Sequence, residues 1–494
     1  EHGDGLVRSE FHEPMFGSHI AAVFEEVKET FDPANLFNPG KIVRPSKMDD
    51  RSLFRFKPGY QTIPLEAAFD WSDWGGFGGA VEMCNNNGAC RKSDAGVMCP
   101  SFRATGDEQH LTRGRANSLR LALSGQLGPD AFTSDHLLET MKLCVGCKGC
   151  KRECPTGVDM AKMKVEFLYH YNKRHGLRLF DRLVAYLPRY APVASKFGAL
   201  LNLRDRIPGM AGLSELFVGF SRKRTLPPWH LHPFNARETK GDQSDGAEVV
   251  LWADTFNTWF EPENTRAALN VLRAAGYRVH LAQPADGDRP LCCGRTFLSA
   301  GLVDEAKAEA KRMIDALKPY FERGVPVIGL EPSCLLTLRD EFQAMLPGTD
   351  SDALAGQALL FEEFLALEHD AGRLNLDLKA ITSSRALVHG HCHQKAFATL
   401  GALEKTMNLV PGLETEVISS GCCGMAGAFG YDADNFEVSM TMAEADLLPA
   451  VRNGGDAVIV AGGTSCRHQI KDGADKQAIH IARLIDSALA NDRS

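Results

Sequence analysis

Leu143-Cys144-Val145-Gly146-Cys147-Lys148-Gly149-Cys150-Lys151-Arg152-Glu153-Cys154-Pro155 places four thiols at spacings of two, two and three residues ahead of a proline. Thiolates this close repel one another unless a metal holds them, and Gly146 and Gly149 let the loop wrap tightly around a bound group. At this spacing three thiolates cap one iron–sulfur cubane while the fourth reaches a neighbouring cluster. Zinc is the competing reading, but zinc loops usually pair two CxxC knuckles.

Upstream, Cys84-x5-Cys90-x8-Cys99-Pro100 repeats the pattern more loosely, with Asn87 where a middle thiol would stand. The two groups together resemble a two-cluster bacterial ferredoxin. By that family's cross-ligation, Cys144, Cys147, Cys150 and Cys99 would hold one 4Fe-4S cluster, and Cys84, Cys90 and Cys154 the other. The second set is one thiolate short. Asn87, water or a residue elsewhere fills the corner, or the site holds a 3Fe-4S cluster.

Cysteine is 14 of 494 residues, too sparse for a disulfide scaffold yet strongly bunched, which favours metal ligation. The length is about three domains' worth, and 44% hydrophobic with 24% charged residues is ordinary for a globular protein. A net charge of -8 argues against nucleic acid as a partner. The chain shows no signal peptide, and its longest apolar stretch, Ile207 to Phe220, is short of the ~20 residues of a membrane span. A cytoplasmic protein is expected. Residues 161–240 carry 15 Lys or Arg against 5 Asp or Glu. This basic, helical stretch reads as a solvated connector or as a docking surface for an acidic partner or an anionic membrane, giving peripheral contact at its inner face.

From residue 248 the chain repeats itself. One unit runs through a strand at Glu248–Trp252, Asp254-Thr255, a helix from Glu261-Pro262, a strand near Val279 and Cys292-Cys293-Gly294. It continues with a helix (Ala306–Leu317), a strand (Val325–Leu330) and Cys334. The other runs through a strand (Ala386–His389), Cys392, a helix, a strand (Glu416–Ser419), Cys422-Cys423-Gly424, a helix (Val438–Leu448), a strand (Ala457–Val460) and Cys466. The fold class expected is a mixture of α+β and α/β domains: a helical two-cluster ferredoxin domain followed by a tandem α/β repeat. The spans read as 1–45, a domain's tail end; 46–83, a linker; 84–160, the ferredoxin domain; 161–245, the basic connector; and 246–345 and 385–475, the two repeats.

Paired cysteines before glycine, twice, resemble the CCG domains of heterodisulfide reductases and of glycolate oxidase iron-sulfur subunits. The resemblance implies that Cys392, Cys422, Cys423 and Cys466 suffice for a further cluster, with Gln469 where a last cysteine would fall. Cys292, Cys293 and Cys334 form a set of three, with Thr337 in that last place and Asp254 or Thr255 at the strand end. That weaker site reads equally as a structural copy with buried thiols, and a vicinal pair doing disulfide exchange is the other alternative. His389, His391 and His393 alternate, so on an extended segment they would share one face, with Cys392 on the other, and tune a cluster by hydrogen bonding to sulfur.

The chain opens on Glu1-His2-Gly3-Asp4-Gly5, followed by Phe31-Asp32-Pro33 and Asn38-Pro39-Gly40-Lys41. This resembles the C-terminal end of the FAD-linked oxidase family, which includes D-lactate and D-2-hydroxyglutarate dehydrogenases. The resemblance implies that His2 takes the substrate hydroxyl proton, Glu1 ligates a divalent metal, and Asn38, Gly40 and Lys41 lie near flavin or substrate. It places the FAD-binding part upstream of residue 1, so that FAD is expected only with that missing domain. The whole order resembles fused FAD and iron-sulfur oxidoreductases, which implies the electron-transfer half of a D-2-hydroxy acid dehydrogenase. Its acceptor would be a quinone, an electron-transfer flavoprotein or a disulfide. The alternatives are a heterodisulfide-reductase-like redox protein and a non-catalytic cluster carrier that docks a separate flavoprotein.

Overall fold

A computed structural model describes residues 4–92, 96–239, 245–287 and 289–490. They form two compact units, Glu1–Ile63 and Pro64–Ser494. In the first, the helix Ser18–Phe31 stops where the buried Asp32 carboxylate gathers the Leu36 and Phe37 amides, both at 2.9 Å, and the Lys28 ammonium. This fixes the turn that leads to Asn38 and Gly40, which take φ of 46° and 71°.

The second unit begins inside the stretch read as a linker. Residues 68–82 are packed rather than free: Glu166 accepts hydrogen bonds from the Ala68 and Phe69 amides (2.7 and 3.0 Å) and from the Trp71 indole (2.9 Å), and Trp71, Phe77 and Val81 are buried. A buried carboxylate with donors on every side is what a packed domain edge needs. No strand occurs among the described residues from Pro64 to Thr239. The cysteine-bearing part is built instead from the helices Pro100–Thr105, Thr112–Leu123, Asp135–Lys142, Gly149–Glu153 and Met160–His175.

Two four-stranded parallel sheets follow. Module 1 contains β1 (Glu248–Trp252), β2 (Arg278–Leu281), β3 (Val327–Gly329) and β4 (Ala358–Leu360), in the order β2-β1-β3-β4. Module 2 contains β5 (Arg385–His389), β6 (Glu414–Val417), β7 (Val458–Ala461) and β8 (Ala478–Ile479), in the order β6-β5-β7-β8. The fourth strand of each lies beyond the spans 246–345 and 385–475. In both modules the first strand sits centrally and the chain reverses direction across the sheet beside it, the place where open parallel sheets bind ligands at their carboxyl ends.

Alternation along the strands assigns their faces. Val249 and Leu251 of β1 and Ala386 and Val388 of β5 enter one apolar core common to both modules. Leu387 faces the other way, into a second core that contains Cys423 and Cys466. His389, two residues on, belongs to that face. The helix expected at Val438–Leu448 is two helices, Phe436–Glu444 and Leu447–Asn453. Asp446 breaks it, held out of helical geometry by Arg103 at 3.0 Å and the Gly421 amide at 3.3 Å.

Candidate metal centre

The cluster loop is set by two backbone features. Gly146 takes φ of 60°, and Lys148 does the same at a cost that its surroundings must offset. Cys99, Cys144, Cys147 and Cys150 then line one small cavity with Arg115 and Met160. Arg115 is fully buried, donating to Thr140 C=O (3.0 Å) and Ser101 Oγ (2.9 Å) while Nη1 lies 3.7 Å from Cys99 Sγ. The guanidinium thus places a fixed positive charge at the wall of the thiol-lined cavity. Burial drives the Cys150 and Cys147 thiols up, so an uncompensated anion is disfavoured in this cavity without a cation to share.

In the other thiol group, Arg113 lies within electrostatic reach of both Cys90 and Cys84. Asn87 is exposed, its amide spent locally: Nδ2 donates to Asn85 Oδ1 at 2.6 Å and Oδ1 accepts from the Ala89 amide at 2.8 Å.

Module 2 brings Cys392, Cys422, Cys423 and Cys466 together, all buried, at the carboxyl ends of β5, β6 and β7. Contacts with Cys422 and then Cys466 pull Cys423 well below the ordinary thiol range, and the contact with Cys423 pushes Cys466 well above it. Proton sharing of this kind marks a sulfur set that cannot ionise fully until a metal arrives. The Gly424 amide donates to Cys422 Sγ at 3.4 Å. Gly463 has no room for a side chain, since a Cβ there would lie 2.6 Å from the His391 ring and 3.4 Å from Cys466 Sγ. A ring nitrogen of His389 and the sulfurs of Cys423 and Cys466 lie within 4.8 Å of one another, the one such group of three metal-binding atoms among the described residues. The donor set thus suits iron and sulfide.

The histidines do not share a strand face as expected. β5 ends at His389, and Gly390 lets the chain turn under Leu400, where a Cβ would come within 2.6 Å. His391 then caps the helix Cys392–Ala396, its Nδ1 accepting from the His393 amide at 3.1 Å. His393 Nε2 donates to the Gly146 carbonyl at 3.0 Å, which ties the helix to the cluster loop. Cys147, Cys392 and Cys422 consequently pack in one buried cluster with Val97, flanked by Val145 and Ala426.

Module 1 has the same frame with different chemistry. Cys292, Cys293 and Cys334 are buried, and contact with Cys293 followed by burial raises Cys292. Trp252 ends β1 where His389 ends β5, and Thr255 opens a helix where Cys392 does. Asp254 corresponds to His391 and is a helix cap, accepting from the Phe256 and Asn257 amides at 2.9 and 3.2 Å. Burial, and then Glu331, pushes its carboxyl up to about 6.

Among the remaining expected site residues, Cys154 approaches Thr156 Oγ1 at 3.3 Å, and Asn38 and Lys41 are exposed beside the half-buried Gly40. Glu1 and His2 lie outside the described residues. Sequence reading missed Arg115, Lys148 and Ser420. A charged residue inside a thiol loop was the available sign for Lys148.

Three family models match. The 4Fe-4S dicluster domain covers 80–158, the C-terminal domain of FAD linked oxidases covers 1–42, and the cysteine-rich domain covers 253–339 and 386–471. The chain thus carries, in this order, a match to the C-terminal domain of FAD linked oxidases, a 4Fe-4S dicluster domain and a cysteine-rich domain matched twice. It is 30% identical over 540 residues to a D-2-hydroxyglutarate dehydrogenase of Pseudomonas putida, covering 98% of this chain and 50% of that protein. The corresponding Escherichia coli enzyme is 27% identical over 524 residues, covering 95% of this chain and 49% of that one. A probable glycolate oxidase iron-sulfur subunit of Bacillus subtilis is 24% identical over 453 residues, 84% of this chain and 96% of that protein. The chain spans about half the length of the D-2-hydroxyglutarate dehydrogenases it matches. No described helix is long and apolar enough to cross a membrane.

Proposed function

We propose that this chain is the electron-transfer half of an FAD-dependent D-2-hydroxy acid dehydrogenase, with D-2-hydroxyglutarate the first substrate to test. The observation that carries the reading is the packing of Cys147, from the cluster loop, against Cys392 and Cys422 of module 2. That contact supports a continuous path from the dicluster domain to a terminal site at the carboxyl ends of β5–β7. Bound clusters would supply single-electron steps between a two-electron flavin couple and an outside acceptor, be it quinone, electron-transfer flavoprotein or disulfide.

The chain's residues set the conditions for this. Cys99, Cys144, Cys147 and Cys150 supply four thiolates to one cubane, with Arg115 balancing their charge. Cys84, Cys90 and Cys154 supply three to a second, and the engagement of the Asn87 amide with Asn85 and Ala89 favours a 3Fe-4S cluster or a water-filled corner there. Cys392, Cys422, Cys423 and Cys466 hold the terminal centre, and the buried Val97 packs at the junction with the half-buried Val145 and Ala426 beside it. In the segment matched over 1–42, His2 is the proposed base, Glu1 a metal ligand, and Asn38, Gly40 and Lys41 the flavin-side residues.

The test is iron and sulfide analysis of anaerobically purified chain, followed by dithionite reduction. About twelve irons are expected, against about eight for the dicluster domain alone. A protein without iron overturns the reading. Fused to the remaining half of one of the longer relatives, the chain should support dye reduction by D-2-hydroxyglutarate. Failure with D-2-hydroxyglutarate, D-lactate and glycolate alike overturns the substrate class.

A further inference from the structure

His389 ends β5 on the face occupied by Cys423 and Cys466 and is fully buried. Its Nδ1 is 2.9 Å from Ser420 Oγ. That hydroxyl has one proton to give, and the Ile418 carbonyl stands 3.4 Å away to take it. Lys395 Nζ donates to the same oxygen from 3.5 Å. The arrangement that uses all three partners of that hydroxyl is Nδ1–H donating to Ser420 Oγ, while the hydroxyl donates to Ile418 and accepts from Lys395. The tautomer leaves Nε2 without a proton.

That Nε2 is buried and has no hydrogen-bond partner among the described residues, and a ring nitrogen of His389 lies within 4.8 Å of the Cys423 and Cys466 sulfurs. A buried lone pair without a donor is costly, and native interiors seldom keep one without a purpose. The sulfur set carries one thiol fewer than the CCG pattern: Gln469 stands where that pattern puts its final cysteine, its Nε2 donating to Ser439 C=O at 3.3 Å while its Oε1 is likewise buried without a partner. Ser420 performs for His389 the part that outer partners play for metal-bound imidazoles, fixing tautomer and ring orientation.

We infer that His389 Nε2 is a nitrogen ligand of the iron site in module 2, completing a mixed sulfur and nitrogen donor set with Cys392, Cys422, Cys423 and Cys466. Module 1 bears on the assignment, because Trp252 occupies the matching position and its indole has no lone pair to offer. The inference rests on the proposed presence of a cluster in module 2, and the experiment separates the two.

The full chain is purified anaerobically after labelling with 15N-histidine, and pulsed EPR is recorded on oxidised and dithionite-reduced samples. Cys466→Ala identifies which signal belongs to module 2. The expected result is one strongly coupled histidine nitrogen on that signal, absent in His389→Gln, with the dicluster signals unchanged. His389→Cys should keep the iron that His389→Gln loses, about four atoms per chain, while showing no nitrogen coupling, which controls for misfolding. If the Cys466-dependent signal carries no histidine coupling, or keeps it in His389→Gln, the ligand assignment falls and the module 2 cluster stands. If Cys466→Ala removes neither iron nor signal, the cluster reading falls and takes the assignment with it.

Discussion

Module 1 grips the cluster loop by charge. Lys148, almost fully buried between Cys147 and Cys150, places its ammonium 2.6 Å from both Asp340 and Glu341, and Arg295, just after the Cys292-Cys293-Gly294 turn, reaches Glu341 at 2.8 Å. Module 2 meets the same loop mainly through sulfur and methyl groups, with Cys147 against Cys392 and Cys422, and is tied to it by hydrogen bonds to carbonyls, His393 to Gly146 and Arg152 to Lys395 at 3.3 Å, with Lys148 and Lys151 over the Phe397 ring. One repeated fold thus meets the loop in two ways, by charge on one side and, under the proposed function, by redox contact on the other. At the strand end three substitutions separate them: Trp252 for His389, Asp254 for His391 and Thr255 for Cys392.

The largest effect expected from this division is on iron. Cys466→Ala should remove about four irons per chain, whereas Cys334→Ala should remove none, measured by colorimetric iron analysis of anaerobically purified variants. Equal losses would dissolve the distinction between the modules. Next is the anchor. Burial alone would raise the Asp340 carboxyl, but Lys148, Lys162 and Lys151 hold it well below the usual range. Lys148→Met would leave buried carboxylates undercompensated, at a cost of about 3–5 kcal/mol in denaturant unfolding. The double variant Lys148→Met, Glu341→Leu should recover part of that, because the penalty comes from the stranded charge.

A smaller effect appears as pH dependence at the seam between the modules. His480 Nε2 donates to the Leu330 carbonyl, just past β3, at 3.1 Å, and its Nδ1 accepts from the Ala482 amide at 3.1 Å. Burial, then Arg467, lowers its pKa to about 3, while the nearby Glu261 opposes this. Unfolded, it titrates near 6.5, so the unfolded chain binds the extra proton between these values. The stability due to the neutral ring is complete above about pH 6.5 and is lost as pH falls towards 3. His480→Asn should flatten the acid limb of stability between pH 6 and 4 by up to about 1.4 kcal/mol per pH unit, read from unfolding midpoints.

The sequence was legible where structure is local. β1 lies at Glu248–Trp252 as expected, and the strand expected at Ala386–His389 differs from β5, Arg385–His389, by one residue. β4 and β8 escaped notice because strands of three and two residues carry no readable alternation. The break at Asp446 is imposed by Arg103, 343 residues away, and Lys148 finds its carboxylates 192 and 193 residues on. Such pairings leave no trace in a local window. The histidine row was misread for a different reason: alternation implies one face only while the strand continues, and Gly390 ends it.

The smallest predicted effect is a null one. If the missing thiol were all that module 1 lacks, Thr255→Cys would create a second four-cysteine site and raise the iron content by about four atoms. Trp252 argues otherwise. Its fully buried indole fills the face where module 2 presents an imidazole, leaving neither space nor a lone pair for iron. Thr255→Cys alone should therefore leave iron content at the wild-type value, and only combination with Trp252→His should raise it. Iron uptake by the single variant would reduce the difference between the modules to one thiol and leave the strand-end residue without a part in it.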